Sequence, residues 1–260
     1  MPEHLGRCAA EAGLGEAAVE LADLDSNARR SFPVETKVAP YPASMIKTPL
    51  AIAAAVAVTQ GRFAWSQRLV VEPSNMTAND APSPLVPGAS ATLGKLVALM
   101  LSRSDNVATN MLIECLDRRR ATADLAALGF PATAIRRKLS GALPLIEDPE
   151  ANGRNAHPAD EACELFSRIA RRDVPGAARI TRSLSAQVWN TKLSSGLAPG
   201  DRFAHKTGDT DEVSHDGGIL TLASGERYAI VVYTQLESNA QTDARFGDFM
   251  RALRPFLLRA

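Results

Sequence analysis

Ser44 and Lys47 stand three residues apart at the head of an apolar, alanine-rich stretch. On a helix that spacing puts both side chains on one face. A serine hydroxyl is a poor nucleophile at neutral pH and needs a base beside it. Lysine can be that base only when part of it is neutral, and burial near a second cation lowers its pKa enough to allow this. The chemistry would be acyl transfer through a serine. A helix start also offers free backbone N–H groups that can steady an oxyanion. Taken alone, the pair reads equally as an N-cap serine and a lysine snorkelling to solvent.

Two further strings follow in order. Ser104-Asp105-Asn106 falls between two predicted helices, and Lys206-Thr207-Gly208 ends a predicted strand. The first can relay a proton through Ser104 and hold a substrate amide and Lys47 through Asn106; its bland reading is a helix cap. The second can grip a substrate carboxylate with an ammonium and a hydroxyl, while Gly208 leaves room for substrate along the strand edge. Its bland reading is a strand running into a turn. Each exact tripeptide arises by chance in only a few per cent of chains this long, so both together, in order, argue for a set. Only six of the 29 basic residues are lysines, which makes Lys47 and Lys206 more informative.

The elements that must position these residues are legible from periodicity. A short helix over 3–12 ends at Gly13, and strands follow over 17–24 and 31–34. A buried helix runs from Ser44 to Gln60 and stops at Gly61. Helices are predicted from a Thr92 cap to Leu101, over 105–116 and over 121–128, and then over 158–172 and 177–188. Residues 139–157, dense in Gly, Pro, Asp and Asn, read as loop. Strands over 202–207, 215–222 and 227–235 precede a terminal helix from about Gln241 that Pro255 loosens. Strands therefore cluster at both ends and helices in the middle. The expectation is an α+β fold. An antiparallel sheet with flanking terminal helices is built from 1–61 and 196–260, and an all-helical insertion spans 62–195, with the site where the two meet.

With these motifs the chain resembles the penicillin-recognising serine enzymes, close to the class A β-lactamases. The 60 residues from Ser44 to Ser104 and the 102 from Ser104 to Lys206 match that family's spacing. The resemblance implies Ser44 as nucleophile, Lys47 as base or proton shuttle and Ser104 as relay. It implies Asn106, Lys206, Thr207 and Gly208 as substrate contacts, and an oxyanion hole from the backbone N–H groups of Ser44 and Asp209. The substrate it implies is a β-lactam or a related amide or ester bearing a carboxylate. In class A β-lactamases a loop glutamate, followed by proline and with an asparagine four residues after the glutamate, activates the water that clears the acyl-enzyme. Here the local match is Asp148-Pro149-Glu150-Ala151-Asn152, with Glu147 adjacent and a shorter run to Pro158. Aspartate is one methylene shorter, and misplacement near 1 Å can cost about a hundredfold. Glu147 and Asp148 are the candidate deacylation bases, with impaired hydrolysis expected. The alternatives are a D-alanyl peptidase or transpeptidase, a biosynthetic transacylase of the same fold, or a non-catalytic ligand sensor.

The bulk properties exclude other classes. The chain has 260 residues, 45% of them hydrophobic, and no formal net charge, so a nucleic-acid partner is not expected. Cys8, Cys115 and Cys163 lack metal-ligand spacing and read as reduced, mostly buried thiols. No cofactor or metal is expected. No stretch has membrane-span length. No signal-like N-terminus is visible, so the chain as written reads as cytoplasmic, or as periplasmic or secreted if a leader has been removed. A small-molecule substrate and a monomer are expected. His215-Asp216 invites a triad with Ser44, but neighbours on a strand point to opposite faces, which favours a structural or rim role.

Overall fold

A computed structural model of the chain describes residues 2–26, 28–32 and 41–258. Five antiparallel strands, β1 (Ala18–Asp23), β2 (Arg29–Phe32), β5 (Arg202–Asp209), β6 (Ser214–Thr221) and β7 (Arg227–Tyr233), form one sheet in the order β2-β1-β7-β6-β5. The central strand β7 is rich in β-branched and aromatic residues and is buried on both faces, as a strand covered by helices must be. Its alternation divides the core. Tyr228, Ile230 and Val232 join α1 (Pro2–Glu11) and α8 (Ala240–Leu253) through Leu5, Phe246, Phe249 and Leu253. Ala229, Val231 and Tyr233 face the opposite core of Ile52, Leu96 and Phe166.

The remaining helices are α2 (Lys47–Thr59), α3 (Leu93–Ser102), α4 (Asn106–Leu116), α5 (Arg118–Ala127), α6 (Ala159–Arg171) and α7 (Ala177–Ser185). Residues 47–57 of α2 are buried on every side, so its sequence shows no polar stripe. Gly61 ends it with φ +72°. Thr92 caps α3, its Oγ1 accepting from the Lys95 amide at 3.2 Å. Asp117 starts α5 three residues before the predicted boundary by accepting from the Arg120 amide at 2.9 Å. Strand β2 begins two residues earlier than expected, and residues 33 and 34 lie outside the described residues. A two-stranded sheet, β3 (Arg68–Val70) with β4 (Ser90–Thr92), escapes periodicity because three-residue strands carry too little of it. Helix α6, from the segment assigned to the helical insertion, lies against β1, β6 and β7. The three cysteines are free thiols; Cys8 and Cys163 are buried and Cys115 is partly so. Among the described residues no helix is long and apolar enough to cross a membrane.

Candidate active site

A 3₁₀ turn, Ala43–Ile46, leads directly into α2. In such a turn positions three apart eclipse, which aligns Ser44 with Lys47. Met45 and Ile46 are fully buried and pin the turn, while Ser44 is half-buried and lines a cleft. Ala43 adopts φ +46° and Ser104 φ +59°, a left-handed conformation that costs a non-glycine residue about 1–3 kcal/mol. Both strained residues sit at the cleft, where the surrounding packing holds them.

Two lysines from different elements converge on Ser104 Oγ. Lys47 Nζ donates to the Ser104 carbonyl at 2.6 Å, to Asn106 Oδ1 at 2.7 Å and bonds Ser104 Oγ at 3.0 Å. Lys206, on the edge strand β5, donates from Nζ to the same Ser104 Oγ at 3.0 Å and to the Thr207 carbonyl at 2.8 Å. Ser104 Oγ thus lies between two lysines. The tripeptide is itself fixed. Asp105 caps α4 by accepting from the Ala108 amide at 2.9 Å and from Ser83 Oγ at 2.6 Å, and Asn106 Nδ2 donates to the Ala78 carbonyl at 3.0 Å. The cap role of Ser104-Asp105-Asn106 falls on Asp105, while Ser104 Oγ and Asn106 Oδ1 meet Lys47.

Burial lowers the Lys47 pKa well below the ordinary lysine value, and the neighbouring Lys206 charge lowers it further. Lys206 is pushed down to about 8 by its own burial, against the pull of Asp209. A neutral Lys47 can accept a proton and pass it along Ser104 Oγ, whose other neighbour is a cation that favours proton release. Such a lysine, three residues from Ser44 where the turn runs into α2, can serve as a general base.

Gly208 serves a closer purpose than leaving room for substrate. A Cβ there would lie 3.0 Å from the Pro42 carbonyl oxygen and 3.1 Å from Met45 Cγ, so β5 presses against the turn that carries Ser44. Gly208→Ala should push the two apart, lower stability by about 1–3 kcal/mol and slow acylation of Ser44. Urea unfolding together with an acylation time course checks both.

Glu147 and Asp148 are not brought to the cleft. Neither lines the cavities beside Ser44. Asp148 is buried in a two-pronged ion pair with Arg118, at 2.8 and 2.7 Å, and accepts from the Lys138 amide at 2.7 Å. Burial raises its pKa, but the Arg118 guanidinium and the amide outweigh that and leave it below the usual carboxylate range. A carboxylate so held is a poor base. Asp148→Ala would leave the buried Arg118 guanidinium with the Arg136 carbonyl at 3.0 Å and the exposed Glu150 at 3.6 Å, and should cost about 1–3 kcal/mol in denaturant unfolding. Glu147 is exposed on the same loop.

His215 and Asp216 point to opposite faces of β6, as strand geometry requires. His215 Nε2 donates to the Tyr41 carbonyl at 2.8 Å, and Nδ1 accepts from the Thr234 amide at 3.2 Å. Burial holds it neutral, with a pKa lowered to about 4. Asp216 turns the other way and meets His205 Nδ1 at 2.7 Å. His205 is thus a buried partner of Asp216.

Lys192 was not singled out by sequence spacing. It is buried, ion-paired to Asp209 Oδ1, and donates to the His215 carbonyl at 3.1 Å. The signal available was its type, since it is another of the six lysines. The cleft has two lobes of about 290 and 570 Å³, both lined by Ser44, Asp80 and Asp209. The smaller adds Ser104, Lys192 and Thr207, and the larger adds Asn106 and the loop 137–145.

Solved structures share this fold over nearly the whole chain. A point mutant of PBP-A, in an acyl-enzyme complex with penicillin G, superposes with a TM-score of 0.83 at 23% identity, covering 98% of this chain and 96% of that one. A β-lactamase from Sphaerobacter thermophilus gives 0.81 at 23% identity with 99% of each chain covered. The TLA-3 extended-spectrum β-lactamase gives 0.84 at 16% identity with 100% of each covered. Among curated proteins none matches the sequence. The family described as the Beta-lactamase enzyme family matches over residues 5–253. That span takes in every motif described above, and the chain belongs to the Beta-lactamase enzyme family, within the penicillin-recognising serine enzymes.

Proposed function

We propose that the protein is a serine acyl-enzyme acting on a β-lactam or related amide or ester, with Ser44 as nucleophile. The observation that carries this is the buried Lys47, pressed toward neutrality and joined through Ser104 Oγ to Lys206. Ser44 Oγ attacks the carbonyl carbon as its proton passes to Lys47 Nζ. The oxyanion is received by the backbone N–H groups of Ser44 and Asp209. The C–N or C–O bond then breaks as the proton travels from Lys47 through Ser104 Oγ to the leaving atom. What remains is an ester on Ser44.

The placement of Asp148 and Glu147 away from the cleft favours slow release of that ester by water. Transfer to an amine or hydroxyl acceptor, as in a transpeptidase or transacylase, is the second reading on that ground. Intact mass spectrometry over time with a penicillin and a cephalosporin separates them. A persistent adduct supports slow hydrolysis or transfer, and rapid loss of adduct with substrate turnover supports an efficient hydrolase.

A further inference from the structure

The residue after the Lys206-Thr207-Gly208 string is itself an acid, and its side chain lines the cavity beside Thr207 and Ser44. On β5, Thr207 and Asp209 are two apart and share a face, and both line the lobe that holds Ser44. Asp209 Oδ1 accepts from Ser238 Oγ at 2.6 Å, from Lys192 Nζ, and weakly from Ser214 Oγ at 3.5 Å. Those donors are the ones a carboxylate would use. Lys206 adds no exposed N–H, because it is fully buried and its bonds run to Ser104 and Thr207.

Charge around Ser44 points the same way. The lobe is lined by three carboxylates, Asp80, Asp209 and Asp243, against one ammonium, Lys192, which Asp209 already neutralises. In the larger lobe Lys138 pairs with Glu114 at 2.8 Å and Arg154 with Glu212 at 3.6 Å, while Arg137 donates to the Lys138 carbonyl at 3.4 Å. An entering carboxylate meets like charge and no unpaired cation in the smaller lobe, and like-charge juxtaposition is a standard device for rejecting a partner. All the Asp209 side-chain bonds among the described residues end on Oδ1, leaving Oδ2 to accept from a donor group on the substrate.

We propose that Asp209 is a specificity-determining residue that rejects a free carboxylate beside the scissile bond and selects acyl donors presenting a carboxamide or ammonium there. This rests on the acyl-enzyme reading of Ser44. It narrows the expected substrate from carboxylate-bearing donors to uncharged or cationic ones. Lys192 then has two partners to choose between, the protein's own carboxylate or the substrate's, and Asp209 decides the matter.

The test compares one penicillin as its free acid and as its C3 carboxamide. Acylation rates are read by intact mass on wild type, Asp209→Asn and Asp209→Ser, with the labelled residue located by peptide mapping. Wild type should prefer the carboxamide. Both variants should raise the acid-to-carboxamide rate ratio at least about tenfold, because Lys192 is freed to receive the acid. An unchanged ratio with Ser44 still labelled overturns the role of Asp209 and leaves the acyl-enzyme reading standing. Absence of any Ser44 adduct in all three proteins with both probes overturns both. Using two variants guards against one that misfolds.

Discussion

Ser44→Ala should abolish acylation altogether while leaving the fold intact. No other hydroxyl shares its position: Ser44 is the half-buried residue of a 3₁₀ turn whose flanking residues, Ala43, Met45 and Ile46, are all buried. Removing the oxygen of a half-buried side chain that lines the cleft strands no buried partner, so stability should change by less than about 0.5 kcal/mol. The loss is read as disappearance of the mass adduct, with circular dichroism and thermal unfolding as the control on folding. Equal labelling of wild type and variant by a serine-directed probe would show that Ser44 is not an activated nucleophile, and would favour the ligand-sensor alternative.

Lys47→Ala should slow acylation by about 10²–10⁴-fold, the usual worth of a positioned general base. The pH dependence identifies that base. Acylation by wild type should rise with pH as Lys47 loses its proton, with the midpoint well below the ordinary lysine value because burial and the Lys206 charge disfavour the protonated form. Lys206→Gln removes a positive charge beside Lys47. The protonated form becomes less costly, the Lys47 pKa rises, and the acid limb of the profile should move to higher pH. In Lys47→Ala the limb should vanish. A limb that persists in Lys47→Ala would assign the titration to another group. His215 would be an unsuitable substitute, since both of its ring nitrogens are engaged by the Tyr41 carbonyl and the Thr234 amide.

The parts of the molecule that were legible in sequence are those where local chemistry and tertiary packing agree. Gly61 and Thr92 mark helix ends by their own backbone and side-chain geometry, and β7 announces its burial on both faces by an unbroken apolar run. The meeting of Lys47, Ser104 and Lys206 was legible because the two tripeptides stand in a particular order after Ser44 and Lys47. What escaped was set by contacts distant in sequence. Arg118 and Asp148 meet across 30 positions, and nothing in the loop itself says that its aspartate is committed to an ion pair. Lys192 reaches Asp209 across 17 positions, from a 3₁₀ region with no periodicity to read. Gly208 was assigned to substrate clearance, and the pressure of Pro42 and Met45 on it becomes visible only when β5 is docked against the nucleophile's turn. His205 and Asp216 lie near each other because Thr207 pairs with Asp216 in the register of β5 and β6, which fixes their diagonal contact.

The consequence for mechanism is a division of the site. Lys47, Ser104 and Lys206, proposed to form the ester with Ser44, share one buried hydrogen-bond network, and Ser44 lines the cleft beside it. No loop carboxylate joins it from the position where a water-activating residue was expected, because Asp148 is committed to Arg118 and Glu147 faces solvent. Formation and clearance of the acyl group should therefore differ widely in rate.

The most direct test is a time course of intact mass after mixing the protein with a penicillin carboxamide, with peptide mapping of the adduct. The predicted result is a single added acyl group on Ser44 that forms quickly and persists after free donor is removed. An unmodified Ser44 at every time point, or an adduct on another residue that survives in Ser44→Ala, would contradict it.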